Sequence, residues 1–172
     1  MDRVRTGPTW RATLGCAASI ALLGALAWIT GTPWLFPSLG PTAYLLFGAP
    51  SEAAASGRRI VLGHTIAVAC GFGALLATGL YDQPSTLVAG VDGARVLAAT
   101  GSIAACGALL VKLRAMHPPA GATTLIVSMG MLQAPADLAI MVGAVALLVV
   151  IGALLTRALG LPVPRWRHAD DR

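Results

Sequence analysis

Six apolar stretches run along the chain, at residues 12–30, 34–49, 60–80, 94–113, 118–132 and 138–159, separated by short breaks that carry Gly, Pro or charge. Residues 12–51, 60–81, 96–111, 115–136 and 138–156 contain no Asp, Glu, Lys or Arg at all. A bilayer crossing by helix needs about 20 apolar residues, so four stretches are full-length spans and the second and fifth are short. The pattern predicts an all-α, polytopic transmembrane helical bundle that takes up residues 1–172 as a single membrane domain.

The order long, short, long occurs twice. If all six stretches cross, three crossings per unit turn the second unit upside down relative to the first. The expectation is then a 3+3 inverted repeat, with unit one at about 12–80 and unit two at about 94–159. Charge supports this topology. Arg3, Arg5, Arg11, Arg58, Arg59, Lys112, Arg114, Arg157, Arg165, Arg167 and Arg172 fall on one side, and Arg95 alone lies opposite, beside Asp82, Asp92 and Asp137. The positive-inside rule makes the basic side cytoplasmic and places both termini there, in a multi-pass protein of the cell inner membrane. A four-span alternative, with the short stretches re-entrant, would send Arg58 and Arg59 to the outer side.

Each short stretch opens on a proline motif: Ser38-Leu39-Gly40-Pro41-Thr42-Ala43 in unit one and His117-Pro118-Pro119-Ala120-Gly121-Ala122 in unit two. Proline has no N–H and a fixed φ, so it suits the first helical position and bars a helix from continuing through it. Pro41 and Pro119 are therefore expected to start two half-helices. The N–H groups of Thr42, Ala43 and Tyr44, and of Ala120, Gly121 and Ala122, would be free to bind an anion at the positive ends of the helix dipoles. Gly40 would allow a close backbone approach, and Ser38 and Thr42 would add hydroxyl donors. Gly/Pro-interrupted short segments at matching places in two halves are the best sequence pointer to a transporter's binding site. The plainer reading is that each proline only begins a helix after a tight turn.

His64 and His117 are the intramembrane histidines, predicted on the same side, and either can donate a hydrogen bond to an anion or bring a proton with it. A buried His64 bonded to a backbone carbonyl is the plain alternative. No acid lies inside any predicted span, which disfavours cation carriers and carboxylate proton relays and points to an anion or a small neutral solute. Lys112 and Arg114 are positive-inside anchors that can also draw an anion to the mouth.

Composition agrees with a membrane protein: 56% hydrophobic and 11% charged residues, with mean hydropathy +0.77. The net charge of +5 is scattered in ones and twos between apolar stretches, which fits orientation in the bilayer and not nucleic-acid binding. Cys16, Cys70 and Cys106 are odd in number and widely spaced, so they read as packing residues without a disulfide framework or metal cluster. No metalloprotease, hydrolase or phosphate-loop motif occurs, so an enzyme is not expected and no cofactor is implied. Ala25-Leu26-Ala27 resembles a signal cleavage site, but the apolar run continues beyond it and unit one needs the segment, so it reads as an uncleaved span. Small residues at helical spacing, Gly63, Ala67, Gly71 and Ala74 in one stretch and Ala98, Gly101, Ala105 and Ala108 in another, suit close helix packing or a subunit interface. Six thin helices leave little room for a wide pathway, which keeps a homo-oligomer open.

Four motifs then combine: Ser38 to Ala43 followed by Leu45-Leu46-Phe47, Gly63-His64, Ala94-Arg95-Val96-Leu97-Ala98, and His117 to Ala122. In this order, over about residues 10–160, the chain resembles the HPP family of integral membrane proteins. The resemblance implies a small polytopic membrane protein, often described with four spans, and nitrite transport as the activity attributed to plastid and cyanobacterial members. The soluble CBS extension of some relatives is lacking, so nucleotide control through it is not expected. The expected function is transport of a small inorganic anion, nitrite first, across the lipid bilayer. The alternative is a membrane scaffold or assembly subunit whose Pro/Gly motifs only shape packing.

Overall fold

A computed structural model describes residues 9–171, built from seven helices and two single 3₁₀ turns, with no strand among the described residues. The helices are α1 (Thr9–Thr30), α2 (Leu39–Gly48), α3 (Gly57–Ala77), α4 (Thr86–Ala89), α5 (Gly93–Lys112), α6 (Pro119–Ser128) and α7 (Pro135–Ala158); the 3₁₀ turns are Ala53–Ala55 and Ala169–Asp171. Helices α1, α3, α5 and α7 are each long and apolar enough to cross a membrane. Helices α2 and α6 have ten residues each, about 15 Å at 1.5 Å per residue, or half a hydrocarbon core. Helix α1 runs unbroken through Ala25-Leu26-Ala27. Arg3, Arg5 and Arg172 lie outside the described residues.

Local chemistry sets the helix ends. Gly79, Gly130 and Gly160 take φ of 69°, 74° and 63° just beyond α3, α6 and α7. The next residue then donates back into the helix: Leu80 to the Leu75 carbonyl, Met131 to Ile126 and Leu161 to Thr156. This is the left-handed closure that glycine makes without steric cost. Arg114, at φ 49°, closes α5 the same way, with Ala115 donating to Leu110. Pro119 and Pro135 stand in the first turns of α6 and α7, where a missing N–H costs nothing.

The two ends of the bundle are separately tied. At one end Arg58 donates to the Leu113 and Arg114 carbonyls, and Gly57 and Arg58 N–H groups donate to Arg165 and Trp166 carbonyls in the segment after α7. Arg59 Nε reaches Asp171 at 2.8 Å, and Arg11 lies against Gly160. Burial works against the Asp171 carboxylate. The hydrogen bonds from Arg59 and the His168 backbone and the charges of Arg59 and Arg58 outweigh it and hold its pKa below the usual carboxylate range. At the other end Arg95 donates to the Gln83 and Pro84 carbonyls, Gln133 donates to Gln83 and Gly130, and Thr86 N–H caps Met129. The predicted grouping of the 50–59 loop, the 112–117 turn and the tail at one end is therefore observed as contacts.

The bundle core sits between these ends. Leu23, Leu39, Leu46, Phe47, Met141, Val145 and Leu148 pack where α1, α2 and α7 meet, and Ala67, Cys106, Ala115 and Ala120 pack where α3, α5 and α6 meet. The small-residue face of α3 works as expected: a Cβ on Gly63 would meet His117 Cβ at 3.0 Å, and one on Gly71 would meet Val127 Cβ at 2.7 Å. On α5 only Ala98 of the predicted small set is buried; Gly101, Ala105 and Ala108 face outward. The three cysteines are free.

Candidate functional site

Helices α2 and α6 bring their proline-led starts to the same place, against the first half of α3. The polar side chains gathered there are Thr42, His64, His117 and Thr123, each with 0% of its surface exposed. Thr42 Oγ1 is the hub, 3.0 Å from His64 Nε2 and 3.1 Å from His117 Nε2. The imidazoles stand with ring centroids 5.0 Å apart and tilted by 59°. Beyond the hub, His64 Nδ1 lies 2.7 Å from Thr123 Oγ1, and His117 Nδ1 lies 2.8 Å from the Ala54 carbonyl oxygen.

The carbonyl at one end fixes the protons of the whole row. A carbonyl oxygen only accepts, so His117 Nδ1 carries a hydrogen and, in a neutral ring, Nε2 accepts. Thr42 has one hydroxyl hydrogen and two acceptors in reach, His117 Nε2 at 3.1 Å and the Ser38 carbonyl at 3.2 Å; turned to His117 it satisfies the buried ring nitrogen, and Thr42 then accepts from His64 Nε2–H. That leaves His64 Nδ1 to accept from Thr123. With both rings neutral the order is Thr123 to His64 to Thr42 to His117 to Ala54, four hydrogen bonds pointing one way. Every ring nitrogen is thereby satisfied inside an apolar surround, where an unsatisfied one would be costly.

Of the residues the sequence singled out, the structure joins Thr42, His64 and His117 directly. Ser38 adjoins them through its carbonyl, 3.2 Å from Thr42 Oγ1, while its own buried hydroxyl has no hydrogen-bond partner. Ala43 and Pro119 are buried, Ala43 with its carbonyl accepting from Cys16 Sγ of α1. Pro41, Pro118 and Ala122 instead line an apolar groove of about 490 Å³ on the outside, together with Pro119, Tyr44 and Leu45. Thr123 and the Ala54 carbonyl complete the row and were not anticipated. Thr123 had a signal, being a hydroxyl residue on the buried face of an apolar half-helix; a backbone carbonyl has none.

The expected backbone anion cradle is corrected by the hydrogen bonds. Ala120 N–H donates to His117 O at 2.9 Å and Gly121 N–H to Pro118 O at 3.0 Å, so the first turn of α6 seals its own donors. Helix α2 starts at Leu39, which makes Pro41 its third residue and not its first; Thr42, Ala43 and Tyr44 lie in the hydrogen-bonded body of the helix. Leu39 N–H is taken by Phe36. Gly40 makes no close approach, since a Cβ there would meet nothing within 4 Å. The hydrogen-bond donors of the row are therefore side-chain groups, with backbone carbonyls of Ala54 and Ser38 as acceptors. No group of three or more metal-ligating side chains occurs among the described residues.

A family model described as "HPP, transmembrane region" matches residues 1–165. No curated protein and no solved structure matches the chain.

Proposed function

The chain belongs to the HPP transmembrane family, and from that premise we propose that it transports a small anion, with nitrite, the ion the family resemblance implies, as first candidate. The observation that carries the reading is the buried row Thr123–His64–Thr42–His117. A proton delivered at Thr123 passes by successive hops to His117: Thr123 protonates His64 Nδ1, His64 Nε2 gives its hydrogen to Thr42, and Thr42 gives its own to His117 Nε2. Afterwards each of the three bonds points the other way and the charge rests on His117. Release to an anion arriving beside His117 would carry that anion onward as its neutral acid, the form that crosses an apolar interior at least cost.

The six-crossing, inverted-repeat topology belongs to the same proposal. Helix α2 packs on α1 as α6 packs on α5, α2 lies on α7 as α6 lies on α3, and α1 lies on α7 as α5 lies on α3. Exchanging the two units maps each of these contacts onto another. The starts of α1 and α3 share one end, so residues 31–56 return the chain across the bundle. Gly130 meets Arg95 at the opposite end from His117, so residues 113–134 cross likewise. Arg11, Arg58, Arg59, Arg114, Arg157 and Arg165 support a cytoplasmic first end by the positive-inside rule. Ser51 is exposed in the 50–59 loop. A Ser51→Cys change in a cysteine-free background should react with a membrane-impermeant maleimide only when the cytoplasmic face is open to it; labelling from outside would leave four crossings.

Uptake of labelled nitrite by liposomes holding the purified protein tests transport itself. The expected result is uptake well above that of empty liposomes, faster with an inward proton gradient. Uptake at the empty-liposome rate, with a control anion carrier working alongside, removes the reading. A scaffold role is the second reading, and the sealed N–H groups of Ala120 and Gly121 favour it. On that reading changes in the row lower folded yield and no ion flux depends on them.

A further inference from the structure

We propose that Arg95 is the contact residue of a second small-anion site, at the end of the bundle opposite His117. Arg95 is only 3% exposed. Its Nη2 donates to the Pro84 carbonyl at 2.6 Å and the Gln83 carbonyl at 3.4 Å, and Nη1 is buried with no partner. Among the described residues no carboxylate forms an ion pair with it. Asp92, the nearest acid in sequence, uses its Oδ1 to accept the Arg95 backbone N–H at 2.8 Å. A guanidinium taken out of water needs a counter-charge or a full set of acceptors, and this one has neither.

The surroundings hold the cation in place and leave room beside it. Gly130, at φ 74°, lets the guanidinium lie against its backbone: a Cβ there would meet Arg95 Nη1 at 2.7 Å. Gln133 Nε2 fixes the Gln83 carbonyl at 2.9 Å. An open cavity of about 310 Å³ borders Arg95, walled by Gln83, Pro84, Gly90 and Asp92. One unpaired cation with one carboxylate at the rim suits a small monovalent ion, nitrite or chloride, and repels a dianion. Gly130 lies against Arg95 at the far end of α6, and the 13 residues from His117 to Gly130 put about 20 Å between the two places, so they can be occupied independently.

The inference deepens the transport reading and takes from it only the naming of the ion. The test is the thermal unfolding midpoint of the purified full chain in detergent, titrated with sodium nitrite and with sodium chloride at constant ionic strength against sodium gluconate. The wild type is expected to gain stability with nitrite or chloride and not with gluconate. Arg95→Gln should raise the apparent Kd at least about tenfold, as loss of a charge-assisted contact does. Arg95→Lys, which keeps the charge and covers the case of a poorly folding glutamine variant, should weaken binding by a smaller factor. Gly73→Ala, at a position of α3 that faces open space, should bind as the wild type does. No midpoint rise in the wild type, or an unchanged Kd in Arg95→Gln or Arg95→Lys, overturns the site. Binding lost with Arg95 in a protein that fails to move nitrite into liposomes upholds the site and removes the transport reading alone.

Discussion

Thr42→Val should slow proton-coupled nitrite uptake by about a hundredfold, the lower range for loss of a positioned proton-transfer group, while Thr42→Ser keeps most of it. Valine keeps the shape of threonine and lacks the hydroxyl, whereas serine keeps the hydroxyl and loses only the methyl. Valine removes the hydroxyl that hydrogen-bonds both rings, leaving His64 Nε2 and His117 Nε2 without that partner in a fully buried place. Each orphaned nitrogen is expected to cost about 1–3 kcal/mol, so the unfolding midpoint falls as well. Flux per folded molecule in reconstituted liposomes separates the two effects. Wild-type flux in Thr42→Val, after correction for folded protein, would show that the row is structural only and would favour the scaffold.

Much of this centre could be read from side-chain chemistry, and the unread part lies in the backbone. Matching Gly40-Pro41-Thr42 with His117-Pro118-Pro119 across two units brings Thr42 and His117 to one place, and they are in fact 3.1 Å apart. Helix register is what the motifs did not disclose. A proline is tolerated anywhere in a first turn, so Pro41 serves as third residue of α2. The N–H groups that looked open in α6 close on the carbonyls of His117 and Pro118, because a tight turn before a helix supplies acceptors three residues back. Arg95 was legible as a residue of the Ala94–Ala98 motif, and as the single cation facing three acids. Its burial depends on Gly130, some 35 residues away in the chain, and no local pattern encodes that.

Gly71→Ala is expected to be a strongly damaging methyl added to the fold. The new Cβ would sit 2.7 Å from Val127 Cβ and 2.8 Å from the Thr124 carbonyl oxygen. Both are stiff partners, one of them backbone, so relief requires α3 and α6 to separate. Overpacking of this kind costs about 1–3 kcal/mol. The displacement also reaches the polar row, because His64 lies seven residues before Gly71 on the same face of α3 and meets Thr123 of α6 at 2.7 Å. Val127→Ala offers no rescue, since it keeps the clashing Cβ. Gly73, two residues on, faces open space with nothing within 4 Å, and Gly73→Ala should be neutral or slightly stabilising through helix propensity. The unfolding midpoints of Gly71→Ala, Gly73→Ala and Gly71→Ala/Val127→Ala in one detergent decide it. Equal midpoints for the first two would mean that α3 and α6 are not pressed together at Gly71. A large drop with Gly71→Ala, not recovered in the double variant, ties the stability of the bundle to the same contact that holds His64 against Thr123.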